Sequence, residues 1–149
     1  MNRPPVVSVY LPTRNRPELL QQAVDSVLTQ TFPDFELLIV DDGSEDVGTS
    51  KLIEAFQARD RRVRGFRHAT SRGAPAARNL AINEARGRFL TGIDDDDLLL
   101  PNRLESLLRA EPENHALVCS GFFVEKNGIR RAYNTRPVSY THLTLPTKA

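Results

Sequence analysis

The chain has 149 residues and a mass of 16.7 kDa, with 40% hydrophobic and 26% charged residues, which excludes a disordered or fibrous protein and suits one domain or part of a larger α/β enzyme. Twenty basic against nineteen acidic residues leave a net charge of +1, so overall charge gives no reason to expect nucleic acid or an anionic membrane as partner. Cys119 is the one cysteine, which excludes an internal disulfide and an all-cysteine metal site; with only three scattered His, a bound metal would need oxygen ligands.

Residues 6–11 form an apolar run too short for a signal-peptide core, and no stretch approaches the roughly 18 apolar residues of a membrane span. The β-branched and aromatic content of 6–11 predicts a buried strand that Pro12 stops. Pro17 suits a first helical position, and Leu19, Leu20, Ala23, Val24, Val27 and Leu28 make a stripe of period near 3.6. Phe32-Pro33-Asp34 turns the chain into a second buried strand over 35–40, which ends at Asp41-Asp42-Gly43-Ser44. A helix over 46–58 is expected to pack through Val47, Leu52, Ile53 and Phe56, with Gly48 weakening its first turn. Residues 63–67 predict a short strand, and Gly73 opens a small-residue helix over 74–85 with Ala77, Leu80, Ala81 and Ala85 toward a sheet. Residues 89–93 predict a strand ending at four consecutive acids, Asp94 to Asp97, followed by a helix over about 101–109. A strand over 116–123 and a tight turn at Lys126-Asn127-Gly128 into 129–133 complete a βαβαβαβαβ order.

That order implies an α/β fold: an open, mostly parallel, Rossmann-like sheet with helices on both faces. Ligands of such sheets lie beyond the carboxyl ends of the strands, where Thr13, Asp41, Asp42 and Asp94–Asp97 stand. A pair such as Asp41-Asp42 is often only a cap or a turn. Four adjacent acids repel one another unless a cation or solvent relieves them, and Mg²⁺ or Mn²⁺ fits because both take oxygen ligands and share phosphate oxygens. A diphosphate-bearing substrate is the natural guest. Neither a dinucleotide fingerprint nor a phosphate-binding loop is present. Nine Arg between 59 and 88 lack the aromatics and recognition motif of a nucleic-acid site, so no nucleic-acid partner is expected. Arg78 stands apart, as a phosphate contact from a small-residue helix or, alternatively, as a plain surface arginine.

The segments 6–15, 26–31 and 35–44, then Gly73-Ala74-Pro75-Ala76-Ala77-Arg78-Asn79, then 87–97 with its acidic strand end, resemble family 2 glycosyltransferases in order and spacing over residues 6–110. The resemblance implies a GT-A fold, here truncated. It implies transfer of a sugar from a nucleoside-diphosphate donor, UDP-linked, to a hydroxyl acceptor with inversion, assisted by Mg²⁺ or Mn²⁺. It puts Thr13 near the nucleotide, Asp42 at the base with Asp41 as runner-up, and Arg78 at the phosphates. Asp94 falls to ribose or metal and Asp96 to the metal, while Asp95 stays among the donor-binding residues because four acids leave the register open by one. The acceptor would be a glycan or lipid-linked saccharide in the intact enzyme, in the cytoplasm or at the inner face of the membrane. The family's general base comes from a later half, and no residue over 121–149 replaces it, so the fragment is expected to bind the donor and metal without transferring by itself.

Residues 138–147 resemble a translated sequencing adapter through ten consecutive codons, which divides the chain into a donor-binding part, 1–136, and a non-native tail, 137–149. Two rival functions remain: a noncatalytic nucleotide-binding module, and a sugar-nucleotide nucleotidyltransferase, for which the glycine-rich N-terminal loop is missing. A phosphoacceptor receiver using Asp41-Asp42 is more distant.

Overall fold

The structure is a computed structural model that describes residues 3–110 and 117–133. The chain divides into two compact units, Met1–Pro101 and Asn102–Ala149. The first contains β1 (Val7–Thr13), α1 (Pro17–Leu28), β2 (Phe35–Asp41), α2 (Val47–Arg59), β3 (Val63–Arg67), α3 (Ala74–Glu84) and β4 (Phe89–Gly92). Its four strands lie in the order β3-β2-β1-β4, all neighbours parallel. The chain builds outward from β1 through β2 to β3, then returns to β1's other edge with β4. The β1/β4 boundary is therefore the point where strand order reverses, and a crevice opens there at the carboxyl ends.

Helices cover both faces, as the α/β alternation requires. Leu38 and Val40 of β2 pack with Ala77 and Ala81 of α3, with Tyr10, Phe66, Leu80 and Ala85 around them. On the opposite face Gly65, paired with Ile39, lies against Ile53 and Gln57 of α2, and α1 packs beside α2. With both faces covered, β2 is buried along its whole length, the reason residues 37–40 at its centre are a continuous apolar run.

Several expectations need correction. Pro12 does not stop β1, which continues to Thr13 beside Asp41. The backbone groups of even-numbered β1 residues face β4, as the Tyr10 carbonyl does in accepting from Ile93 N, and β4 ends at Gly92. Pro12 thus directs its missing N–H past the end of β4 and removes no ladder bond. Ile93 accordingly lies just outside β4 rather than within it. Leu19 and Val47, expected in apolar stripes, are exposed, because α1 buries only the Leu20, Ala23, Val24 and Val27 side and α2 begins after its Asp46 cap. Asp46 accepts from Thr49 N at 2.6 Å, which offsets Gly48 in the first turn.

In the second unit α4 spans Arg103–Arg109, starting two residues after the expected Pro101, and β5 (Phe122–Lys126) pairs antiparallel with β6 (Ile129–Tyr133). The strand expected over 116–123 is thus displaced toward the hairpin and does not extend the parallel alternation; Ala116 itself lies outside the described residues. Asn127 and Gly128 both have positive φ, 52° and 73°, and such a two-residue turn can join only antiparallel neighbours. The boundary expected at 136 and the tail 137–149 also lie outside the described residues. Among the described residues no helix is long and apolar enough to cross a membrane.

The arginine-rich stretch is largely absorbed by the fold. Arg59 pairs with Asp25, Arg62 with Asp60, and Arg67 with Asp41, while Arg59, Arg62, Arg64 and Arg88 also lie over phenylalanine rings. Arg64 serves a buried hub at the amino end of the sheet. There Glu36 of β2 accepts from Ser8 Oγ of β1 at 2.7 Å, from Arg64 Nη1 of β3 at 2.9 Å and from Arg86 N at 2.7 Å. Ser8 Oγ in turn accepts from Gly87 N at 2.8 Å, so three strands and the α3–β4 turn meet on one carboxylate.

Burial pushes the Glu36 carboxyl up, but the hydrogen bonds from Ser8, Arg86 N and Arg64, with the Arg64 charge, hold it below the ordinary glutamate value. A carboxyl with a lowered folded-state pKa stabilises the fold fully above its unfolded value and loses that contribution as pH falls through the folded one. Replacing Glu36 with Ala is expected to cost about 3 kcal/mol near neutrality in urea unfolding, and the gap to wild type should narrow on acidification below the ordinary glutamate range. A gap independent of pH would assign the loss to packing instead of charge.

Candidate functional site

Thr13, the last residue of β1, donates its hydroxyl to Asp95 Oδ2 at 2.9 Å. Both side chains are buried, so the first strand end is tied to the loop after β4. That loop folds on itself through Asp97 N to Asp94 O at 3.1 Å, which sends neighbouring carboxylates in different directions. Asp94 accepts from Arg78 Nη2 of α3 at 2.6 Å. Arg16 Nη1 reaches Asp95 Oδ1 at 3.1 Å and Asp96 Oδ2 at 3.4 Å. Asp97 is pushed up by partial burial and then by the charges of Asp96 and Asp94, the electrostatic cost of gathering four acids. The Asp94 bond, opposed by burial, holds Arg78 above its ordinary value.

Asp42, just beyond β2, is buried and accepts from four protein groups. His68 Nδ1 lies 2.7 Å and Arg72 N 2.9 Å from Oδ1; Ser71 Oγ lies 2.6 Å and Gly73 N 2.8 Å from Oδ2. A carboxylate only accepts, so the His68 proton is on Nδ1. Burial alone would raise the Asp42 carboxyl, but these bonds hold it well below the usual carboxylate range. Gly73 caps α3 with φ of 88° and no side-chain bond, so Asp42 supplies from another strand the negative charge that helix start lacks. Gly43 adopts φ of 71°, and a Cβ there would lie 2.5 Å from Ser71 N. The glycine therefore lets segment 70–73 close onto Asp42.

These elements enclose a cleft of about 410 Å³ whose lining includes Thr13, Arg16, Asp42, Arg78, Asp94 and Asp96. It lies at the β1/β4 reversal. The structure thus brings together Thr13, Asp42, Arg78, Asp94, Asp95 and Asp96. Asp41 does not line it: its side chain is buried against Ser44 N at 2.8 Å and Arg67, with Oδ2 lacking a hydrogen bond. Arg16, His68 and Ser71 were not legible as site residues. Arg16 sits 79 residues before Asp95 in sequence, and no spacing rule joins them.

Asp94 and Asp96, with side chains 49% and 58% exposed, are the carboxylates open to the cleft, while both oxygens of Asp95 are already engaged. Among the described residues no three potential metal ligands gather in one group. Two carboxylates nevertheless fit Mg²⁺ or Mn²⁺, which commonly complete their shells with phosphate oxygens and water instead of an all-protein cage.

The sequence model of Glycosyl transferase family 2 matches residues 8–148. The Campylobacter jejuni GalNAc(5)-diNAcBac-PP-undecaprenol beta-1,3-glucosyltransferase is 35% identical over 125 residues, covering 83% of this chain and 40% of that protein. Staphylococcus aureus TarS 1-349 in complex with UDP-GlcNAc superposes with a TM-score of 0.65 at 29% identity, over 73% of this chain and 31% of the other. The mannosyltransferase PcManGT from Pyrobaculum calidifontis, in complex with GDP-Man and Mn²⁺, superposes with a TM-score of 0.58 at 26% identity, over 64% of this chain and 29% of the other. The chain spans about half the length, 40–57%, of the curated relatives it matches first.

The internal bonds of Asp42 predict that Asp42→Asn destabilises the chain by about 2–4 kcal/mol in urea unfolding, since an amide brings an N–H₂ against groups that donate. Asp96→Asn, at an exposed position, should stay within about 0.5 kcal/mol of wild type. Equal stability of the two variants would remove Asp42 from its anchoring role.

Proposed function

The chain belongs to glycosyl transferase family 2, and from that membership we propose that its cleft binds a nucleoside-diphosphate sugar, UDP-linked, for inverting transfer to a hydroxyl acceptor. The observation that carries the reading is the pairing, at one strand-order reversal, of two arginines with two half-open carboxylates. That combination suits a diphosphate together with a divalent cation: guanidinium groups take phosphate oxygens, and carboxylates take the metal. The UDP-GlcNAc complex of the structurally similar TarS supports a uridine nucleotide as donor. The Mn²⁺ in PcManGT supports a cation.

In this reading Thr13 and Asp42 wall the nucleotide, Asp42 by fixing Ser71, Arg72 and Gly73. Recognition of the base by the Asp42 carboxylate itself would require one of those bonds to open. Arg78 contacts the diphosphate, and Asp95 holds the acidic loop to β1 through Thr13. Asp94 and Asp96 would hold Mg²⁺ or Mn²⁺, which when bound offsets charge on the departing diphosphate. Residues 1–136 form the donor-binding part. The base that takes the acceptor proton is assigned outside this set, and a lipid-linked saccharide acceptor is suggested by the Campylobacter jejuni relative.

Calorimetric titration of UDP into the full chain is expected to give binding with Mn²⁺ that EDTA weakens at least about tenfold. Asp96→Ala should weaken it at least about tenfold, while Asp34→Ala, in the turn before β2, leaves it unchanged. Arg78→Ala should weaken UDP more than uridine. Equal affinities for the folded Asp96 and Asp34 variants would overturn the site.

A further inference from the structure

Arg78 and Arg16 restrain the acidic loop in different ways. Arg78 makes one short bond, to Asp94. Arg16 spreads Nη1 over two carboxylates, Asp95 Oδ1 at 3.1 Å and Asp96 Oδ2 at 3.4 Å. Asp95 is buried and its other oxygen is fixed by Thr13, so that half of the contact is anchored to β1. The Asp96 half is longer, and both of its side chains are more than half exposed, at 51% and 58%, so water and salt weaken it. The fold does not use the Arg16 side chain to start α1. As the N-cap residue it makes no side-chain cap bond, and its carbonyl accepts from Leu20 N at 2.9 Å whatever side chain it carries.

We propose that Arg16 is a resident counter-ion of Asp96, holding in the ligand-free chain the carboxylate oxygen that a divalent cation would take, so that cation and donor bind cooperatively. The proposal rests on the cleft being a nucleoside-diphosphate site and adds a binding role for a residue to which the resemblance gives none. A guanidinium and a divalent cation at the same carboxylate compete, because both are positive. A diphosphate attracts both. A cation arriving alone must draw Asp96 away from Arg16 and leave that arginine beside a new positive charge. When a diphosphate is present, Arg16 gains phosphate oxygens in exchange for Asp96. Arg16 therefore opposes the cation alone and favours the pair, and by linkage the cation raises donor affinity by the factor with which the donor raises cation affinity.

The test measures Mn²⁺ binding to the full chain without nucleotide, by the paramagnetic resonance signal of free Mn²⁺, and then UDP binding with and without Mn²⁺. Arg16→Ala is expected to bind Mn²⁺ alone about two- to fivefold more tightly than wild type. The factor by which Mn²⁺ improves its UDP affinity should shrink. Arg14→Ala is the charge control: Arg14 lies on the same loop and also lines the cleft but pairs with Glu45 at 3.4 Å, so Mn²⁺ affinity should stay near the wild-type value. Arg16→Gln, which keeps a polar stem, should behave as Arg16→Ala and guards against a folding defect, checked by circular dichroism. Mn²⁺ affinity unchanged in both Arg16 variants, an equal gain in Arg14→Ala, or no detectable Mn²⁺ binding by any of them overturns the proposal while UDP binding by wild type stands. Failure of wild type to bind UDP with Mn²⁺ overturns the donor reading and this proposal together.

Discussion

Carboxylates gathered at the carboxyl end of a parallel sheet repel one another, and the architecture of this site follows from how the four that line the cleft are neutralised. The buried ones are satisfied from within. Asp95 takes the Thr13 hydroxyl and Arg16, and Asp42 takes His68, Ser71 and two backbone amides. The exposed ones, Asp94 and Asp96, are each met by an arginine at the edge of the cleft. Charge that is buried becomes scaffold, because removing its partners would leave an unpaired group in low dielectric. Charge that is half exposed remains exchangeable, since water already shares it.

The same division separates the fixed side chains of the cleft from its exchangeable ones. Asp42 joins the end of β2 to segment 68–73 and so sets where α3 begins. Gly43 permits that closure by leaving no Cβ against Ser71 N. The position of α3 then brings Arg78 across to Asp94 from a helix whose Ala77 and Ala81 allow it to lie close on β2. At the other end of the sheet Glu36 performs a comparable task, binding β1, β2, β3 and the turn before β4 through side-chain and backbone donors. Two buried carboxylates, one at each end of β2, thus fix the strands whose ends carry the site.

Strand order and the charge of the strand ends converge on the same crevice by independent routes. The reversal of strand order at β1/β4 would locate a ligand there for any open parallel sheet. The residues standing there, acids interleaved with arginines, suit a charged ligand bearing phosphate more than a neutral one.

The sequence by itself determined the α/β class, the seven elements of the sheet unit and the strand ends where the acids stand. Continuous β-branched runs, a 3.6-residue stripe and turn residues are local signals, and local signals survive without a structure. It also made Asp42, Arg78 and Asp94–Asp96 candidates, since their strand-end and motif positions are written in the chain. Only the tertiary structure decided that Pro12 lies within β1, because that depends on β4 ending two residues short of it. It alone separated Asp41 from the cleft, joined His68 and Ser71 to Asp42, and brought Arg16 onto the acidic loop. Those pairings join residues 26–80 positions apart, and a single sequence carries no signal for contacts that arise only when distant strand ends meet.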